Sequence, residues 1–446
     1  MIFGRFVIER LLAMSNWRDG YVTDTEYTTA YYSQHSPVTI DAAQFFQRYR
    51  PVRNGPEFRY FELGCGTGLT SVLMAAGHPE AFFEANDFMP EHIVIAQDLA
   101  TKLEIENVRF TDESFGDLNK RSHEPYDYIM AHGIYTWVSD ARKAEIREFV
   151  DNNLKPGGNF SVTYNCRVGW AGLQNIDVLF KAYLAAAPDH SAPNLARDIF
   201  EKIQEWFSIN EGYFQSEGEA YEFVKDILSK SHDSRYLLHE YGHANWSPLY
   251  SAEVIAEMQE LRLAYAGAPA VLHNIPETCL PTRVQEHVAK HGSVIDQQTL
   301  VDFALNSTFR QDLYRRGAVP VDIKQMTRQF GDVAFVLAKP LDACDMSVKI
   351  PAGKMDLNEQ IHGGMLKLAE QGGKTFNDFC EFGRKLSLSP QDVLTCMGIL
   401  YGVGYLHMAS PYPSDAAHFD RVNKRISDLA VTGYKDLKFL LSPLTR

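Results

Sequence analysis

Between residues 57 and 165 short apolar runs alternate with stretches whose apolar positions recur every three or four residues. The first pattern reads as buried strands and the second as amphipathic helices, which predicts βαβ units on a parallel sheet. "FRYFEL" is a strand ending at Leu63, and "TSVLMAAG" is the helix that follows, stopped by Gly77. "AFFEAN" is a second strand, and "PEHIVIAQDLATKL" a helix with Pro90 in its first turn. "VRFT" and "YDYIMA" are the third and fourth strands; the helix "ARKAEIREFVDNNL" follows with Asp140 as its expected N-cap. "PGG" then turns the chain into a fifth strand, "NFSVTYN". The fold class expected for residues 57–169 is therefore α/β, a doubly wound Rossmann-like sheet.

Beyond it the period is helical. "LQNIDVLFKAYLAAA", "NLARDIFEKIQEWF" and "EGEAYEFVKDIL" carry no strand signal, so 170–245 reads as a helical insertion or cap. In 246–340, "SAEVIAEMQELRLAYAG" reads as a helix returning to a strand, a candidate for closing the sheet, with more helices after it. "DVAFVLAKP" reads either as a late sheet strand or as a connector. From 341 to 446 the helices "NEQIHGGMLKLAEQGG", "FNDFCEFGRKL" and "SPQDVLTCMGILYGVGYLHM" suggest a C-terminal helical, winged-helix-like domain. Residues 1–56 form an N-terminal segment. Its opening "MIFGRFVIERLLAM" is charged at Arg5, Glu9 and Arg10 and reads as an amphipathic helix, not a signal peptide. No later run approaches the ~20 apolar residues a membrane span needs.

"YFELGCGTGLTS" carries the most chemistry. Glu62 ends the first strand and is followed by Gly64, Cys65, Gly66 and Gly68, so the backbone can turn tightly and a ligand can approach closely. The next helix aims its N-terminus at the same crevice, where small anionic groups bind. Asp87, with Phe88 beside it, ends the second strand about twenty residues on, the spacing that sets a carboxylate on ribose hydroxyls.

The E-x-G-x-G-x-G arrangement resembles motif I of class I S-adenosylmethionine (SAM) methyltransferases. The resemblance implies SAM as cofactor, Glu62 serving the methionine amino group, and Asp87 bonding both ribose hydroxyls. "TDESFGDL" resembles the adenine-binding turn of that family, with Ser114 where Asp is usual and Phe115 offering a backbone N–H and a ring face. "DFMPEHIVIAQ", "HGIYTWVS", "LKPGGNFSVTYN" and "VGW" look like the bacterial members that carry a methyltransferase regulatory domain. "NWSPLYSAEVIAEMQELRLAYAGAP" and "FRQDLYRRG" resemble the regulatory segment itself, so the likeness covers most of residues 20–317. Members of this family include rickettsial protein lysine methyltransferases acting on outer-membrane protein B. That implies a protein lysine acceptor and a possible partner in a second copy, a homodimer.

Methyl transfer from a sulfonium needs no metal, only alignment, proton removal and exclusion of water. Candidate catalytic residues are His132, with a pKa suited to a general base or else a strand-end contact to the cofactor, and Tyr135, both after the fourth strand, with Tyr164 and Asn165 ending the fifth. Trp137 and Trp170 are candidates for an aromatic enclosure around a lysine ammonium. "LLHEYGHANW" contains His239-Glu240-Tyr241-Gly242-His243, the H-E-x-x-H pattern of zinc proteases. Gly242, Asn245 and Pro248 count against the continuous helix that pattern requires. We therefore read His239 and Trp246 as part of an acceptor wall, with no metal.

Composition narrows the choice. Forty-three Lys and Arg against 57 Asp and Glu give a net charge of −14, which argues against nucleic acid and favours a cationic acceptor. Six scattered cysteines without a C-x-x-C pair point to reduced thiols and a cytoplasmic location. Two alternatives stay open: a small-molecule or saccharide O- or N-methyltransferase, and a non-catalytic SAM-binding scaffold or sensor.

Overall fold

The structure is a computed structural model. It describes residues 30–50, 55–190, 192–209, 218–230, 234–243, 245–410, 415–432, 434, 437 and 441–442. The amphipathic stretch expected at 1–14 lies outside the described residues.

Seven strands form the central sheet: β1 (Arg59–Leu63), β2 (Phe82–Asn86), β3 (Val108–Thr111), β4 (Tyr126–Ala131), β5 (Leu154–Asn165), β6 (Leu263–Tyr265) and β7 (Phe309–Arg316). Their order is β3-β2-β1-β4-β5-β7-β6, with β1 to β5 parallel and β7 antiparallel to both neighbours. The first five strands fall where the apolar runs predict them. β7 does not announce itself, because "FRQDLYRR" buries polar groups. Arg310 lies between Asp302 and Asp312 at 2.7 and 2.9 Å, and Asp312 also accepts the Tyr164 hydroxyl at 2.6 Å. A paired buried charge reads in sequence as a surface one.

Period-two alternation sorts the strand residues onto two faces. Tyr60, Phe83 and Tyr128 pack beneath helices α1 (Pro37–Phe46), α2 (Leu69–Gly77) and α3 (Pro90–Leu103). Phe61, Ile129, Phe160 and Tyr164 face α4 (Asp140–Asn153) and the helix Ser251–Glu260. The N-cap of α4 is Ser139; Asp140 is already helical and bonds Lys143 at 3.0 Å, which corrects the expected cap.

Among the described residues the insertion contains the helices Gln174–Ala185, Leu195–Ile209, Gly218–Ser229 and Ser234–Tyr241, which share a core of their own around Phe180, Phe200 and Val224. "DVAFVLAKP" belongs to neither expected place. Its strand β8 (Ala334–Leu337) is the centre of a separate antiparallel sheet with Lys374–Thr375 and Leu406–Met408. Around it lie Gly364–Glu370, Phe376–Lys385 and Pro390–Gly402, a helix–strand–helix–helix–strand order of winged-helix-like kind. This module shares its core with α1: Phe45 meets Phe335 and Phe376, and Phe46 meets Tyr401, with centroids 5.4–5.5 Å apart. Among the described residues no helix is long and apolar enough to cross a membrane.

Candidate active site

The sheet order reverses between β1 and β4, so ligands collect at the carboxyl ends of these two strands. There β1 delivers Glu62 and then three left-handed glycines, with φ of 67°, 53° and 73° at Gly64, Gly66 and Gly68. Their reasons differ. A Cβ on Gly64 would stand 2.6 Å from Ile134 Cγ2, and one on Gly68 2.5 Å from Ala96 Cβ, so both glycines let the loop pack. A Cβ on Gly66 would meet nothing within 4 Å; it would fill the crevice itself. Asp87, at the end of β2, clamps the loop by accepting from Gly66 N–H at 2.9 Å and Met89 N–H at 3.0 Å, with His92 Nδ1 at 3.1 Å.

The crevice is open to solvent, about 630 Å³ in all, and Glu62, Gly64, Cys65, Gly66, Asp87 and His132 all line it. Burial pushes the Cys65 thiol well above its usual pKa, so it stays neutral. Glu62 is buried, with one carboxylate oxygen accepting from the Ser71 hydroxyl and the other 3.6 Å from His35 Nδ1. His132 sits in a group of rings, 4.1 Å from Tyr32, 4.5 Å from His35 and 6.3 Å from Phe309 between centroids. Its Nδ1 is buried and bonds no described residue. Burial first, then His35, push its pKa down to about 2, so the ring is neutral and a weak proton acceptor.

Three of the five tryptophans meet beyond this group. Trp246 stands between Trp137 and Trp170, at 6.1 and 5.1 Å, and His243 lies edge-on to Trp137 at 5.3 Å. Backbone bonds hold them together: Ser247 N–H donates to Thr136 and Leu249 N–H to Asn165. Trp170 Nε1 donates to the carbonyl of Thr308 at 2.8 Å, and the next residue is the half-exposed Phe309 beside His132. The Trp246 Nε1 is buried and has no partner among the described residues.

A family model described as a methyltransferase domain matches residues 55–237, and one described as a predicted methyltransferase regulatory domain matches residues 233–316. The chain is a SAM-dependent methyltransferase with a methyltransferase regulatory domain. An uncharacterized protein of Synechocystis is 27% identical over 88% of this chain and 77% of its own length. An uncharacterized protein of Rickettsia prowazekii is 32% identical over 26% of this chain and 46% of its own. The methyltransferase shares its fold with PKMT2 from Rickettsia typhi in complex with AdoHcy, at a TM-score of 0.65 and 20% identity, over 89% of this chain and 81% of that one.

The cofactor is SAM, and the crevice fits it. Gly66 leaves the room a side chain would take, Asp87 stands at the tip of β2, and Glu62 offers a buried carboxylate to a cation. The expected adenine turn is less complete. Ser114 caps the short helix Phe115–Leu118, with its hydroxyl bonded to Asp117 at 2.7 Å, and Phe115 rests on the core under α4. Neither they nor the half-buried Phe88 line the crevice, and Gly68 packs against α3.

Two expected catalytic residues belong to the core of the methyltransferase. The Tyr135 ring is fully buried, and its hydroxyl donates to Glu257 and accepts from Arg147. Tyr164 is equally buried and donates to Asp312. Both phenols are held well above their usual pKa by burial, so neither supplies a base. Asn165 is different: it points to the other face of β5, and its side-chain amide bonds no described residue. The H-E-x-x-H pattern breaks as anticipated, because its helix ends at Tyr241 and His243 turns onto Trp137. The His239 side chain lies outside the described residues. Sequence reasoning missed Tyr32, His35, Thr70 and Ser71. The Ser36-Pro37 helix start after "YYSQH" is the signal that fixes His35 ahead of α1.

Proposed function

We propose that the enzyme methylates lysine side chains of a protein. The observation that carries this reading is the meeting of Trp137, Trp170 and Trp246, tied through Thr308 to the Phe309 that lies beside His132. Aromatic faces attract an ammonium and its methylated forms by about 0.5–2 kcal/mol. The net charge of −14 adds long-range attraction for a basic segment. The sequence likeness to rickettsial lysine methyltransferases supports the same class.

SAM supplies an electrophilic methyl on sulfur; the S–C bond breaks as the lysine N–C bond forms, leaving S-adenosylhomocysteine (AdoHcy). The chain's own residues would bind and align. Glu62 and Asp87 would hold the two ends of the cofactor. The neutral His132 would accept a hydrogen bond from the amine and orient its lone pair without taking the proton, which leaves to solvent. Phe309 and Tyr32 would exclude water from that path. The remaining parts of the reading are a cytoplasmic location, on the six free cysteines, and a homodimer, on the family likeness.

Tritiated-methyl transfer from SAM into a lysate, resolved by size, tests the acceptor class. Label on protein bands that mass spectrometry places on lysine is the expected result. Label confined to small solutes would replace it with the small-molecule reading, and none with the scaffold reading.

A further inference from the structure

Residues 30–36 precede both matched family segments, yet two of them, Ala30 and Tyr32, line the crevice, and His35 lies behind Tyr32 against Glu62. Tyr32 N–H donates to Thr70 Oγ1 at 3.1 Å, and the Thr70 hydroxyl donates to the carbonyl of Ala30 at 3.3 Å. One 3-10 turn, Ser33–His35, then leads into α1, whose N-cap Ser36 accepts from Val38 N–H and whose Ile40 and Phe45 are fully buried. His35 is thus fixed from both sides. Its ring is 1% exposed, stacked on Tyr32 at 5.5 Å and edge-on to His132 at 4.5 Å.

The nitrogen of interest is Nδ1. It is buried, has no hydrogen bond to any described residue, and faces Glu62 Oε1 across 3.6 Å. Glu62 is 3% exposed, and Ser71 provides its single hydrogen bond among the described residues. A carboxylate so little exposed, with one protein donor, is under-satisfied. An N–H on His35 Nδ1, closing by less than an ångström, supplies the second donor and fixes the plane of the carboxylate towards the crevice.

We infer that His35 is a positioning residue for the amino-acid half of the cofactor, acting through Glu62. This rests on the reading of Glu62 as the site of the methionine amino group. The inference makes the segment ahead of the methyltransferase domain a working part of the cofactor site. It also separates the two halves of SAM: His35 serves the methionine end and has no contact with the ribose clamp at Asp87.

Two ligands tell the halves apart. AdoHcy carries the amino-acid end, and 5′-methylthioadenosine keeps the nucleoside but lacks it. Calorimetry on the full chain should show His35→Ala weakening AdoHcy about tenfold and leaving methylthioadenosine within about twofold. His35→Asn, which keeps a donor near Nδ1, should recover most of the loss. In a Glu62→Gln background, His35→Ala should add less than about twofold. Methylthioadenosine binding also certifies that each variant is folded. Equal weakening of both ligands by His35→Ala, or an equal loss with and without Glu62, would overturn the inference. If Glu62→Gln leaves AdoHcy binding intact, the Glu62 reading itself fails; if Glu62→Gln weakens AdoHcy and His35→Ala does not, only the role of His35 fails.

Discussion

Two glycines two residues apart should fail in opposite ways when replaced by alanine. Gly66 and Gly68 share the left-handed backbone, at φ 53° and 73°, and for each an L side chain costs roughly 1–2 kcal/mol. What the added methyl meets is different. On Gly68 it lands 2.5 Å from Ala96 Cβ and 2.9 Å from Phe110 Cε1, and Ala96 is fully buried on α3. Relieving that overlap costs a further ~1–3 kcal/mol. The total of ~2–5 kcal/mol corresponds, for a chain of this size, to a melting temperature lower by roughly 2–5 °C. On Gly66 the methyl meets nothing within 4 Å, so the apo protein should lose only the backbone cost. Its effect falls on the ligand, whose place it takes. The assay is thermal melting with and without AdoHcy at about 100 times the wild-type Kd, which stabilises wild type by ~2.7 kcal/mol. Gly66→Ala should melt near wild type without ligand and gain almost nothing from it. Gly68→Ala should melt low and keep its ligand shift. If both variants lose the shift alike, or if Gly66→Ala keeps it, the assignment of the open space to the cofactor is wrong.

Three more outcomes follow from the side chains. Tyr164→Phe removes the bond to the buried Asp312 and should destabilise by ~1–3 kcal/mol in denaturant melts, with kcat unchanged; a fall in kcat without loss of stability would return Tyr164 to the active site. Trp246→Ala should raise KM for a lysine peptide by roughly 3- to 30-fold, with AdoHcy affinity unchanged by calorimetry; an unchanged KM would remove the aromatic enclosure. Asp177, half-buried in the helical cap, has its pKa raised to about 6 by desolvation, against the opposing pull of Lys181. A carboxyl raised above its unfolded value stabilises at acid pH and loses that contribution as pH rises from about 4 through about 6. Asp177→Asn should therefore stabilise the protein at pH 7.5 by ~1–3 kcal/mol, read from denaturant melts, and give no gain near pH 4. A gain independent of pH would refute the assignment.

The parts of the molecule that could be read in the chain are those where one physical preference acts alone. β1, β2 and β4 are buried on both faces, so apolar runs mark them without ambiguity, and the glycine turn after β1 places three left-handed residues in a row of alternate positions. β7 fails this condition because Arg310, Asp302 and Asp312 neutralise one another inside the protein, which no residue-by-residue pattern reveals. Tyr164 was legible and misread. In "NFSVTYN" Phe160, Val162 and Tyr164 alternate with Ser161, Thr163 and Asn165, so Tyr164 belongs to the apolar face. The polar face is the one turned to the cofactor side, where Thr163 accepts from Gly133 N–H at 2.8 Å. Position at the end of a strand is therefore only half of a site argument; the face must agree, and of the two it admits Asn165 alone. Tyr135 carries no such signal, since it follows the strand in a loop where alternation has lapsed. His35 is further out of reach, because its partner Glu62 lies across an unmarked tertiary contact. The tryptophans show the opposite case. Trp137 and Trp170 follow the ends of β4 and β5, and topology alone brings those ends side by side; Trp246 joins them only because the returning chain pairs Ser247 and Leu249 with those same strand ends. The meeting of the three rings depends on the cap returning at that point. Lengthening the 245–249 connection should therefore damage acceptor binding before it damages the cofactor crevice, which is built from residues elsewhere in the chain.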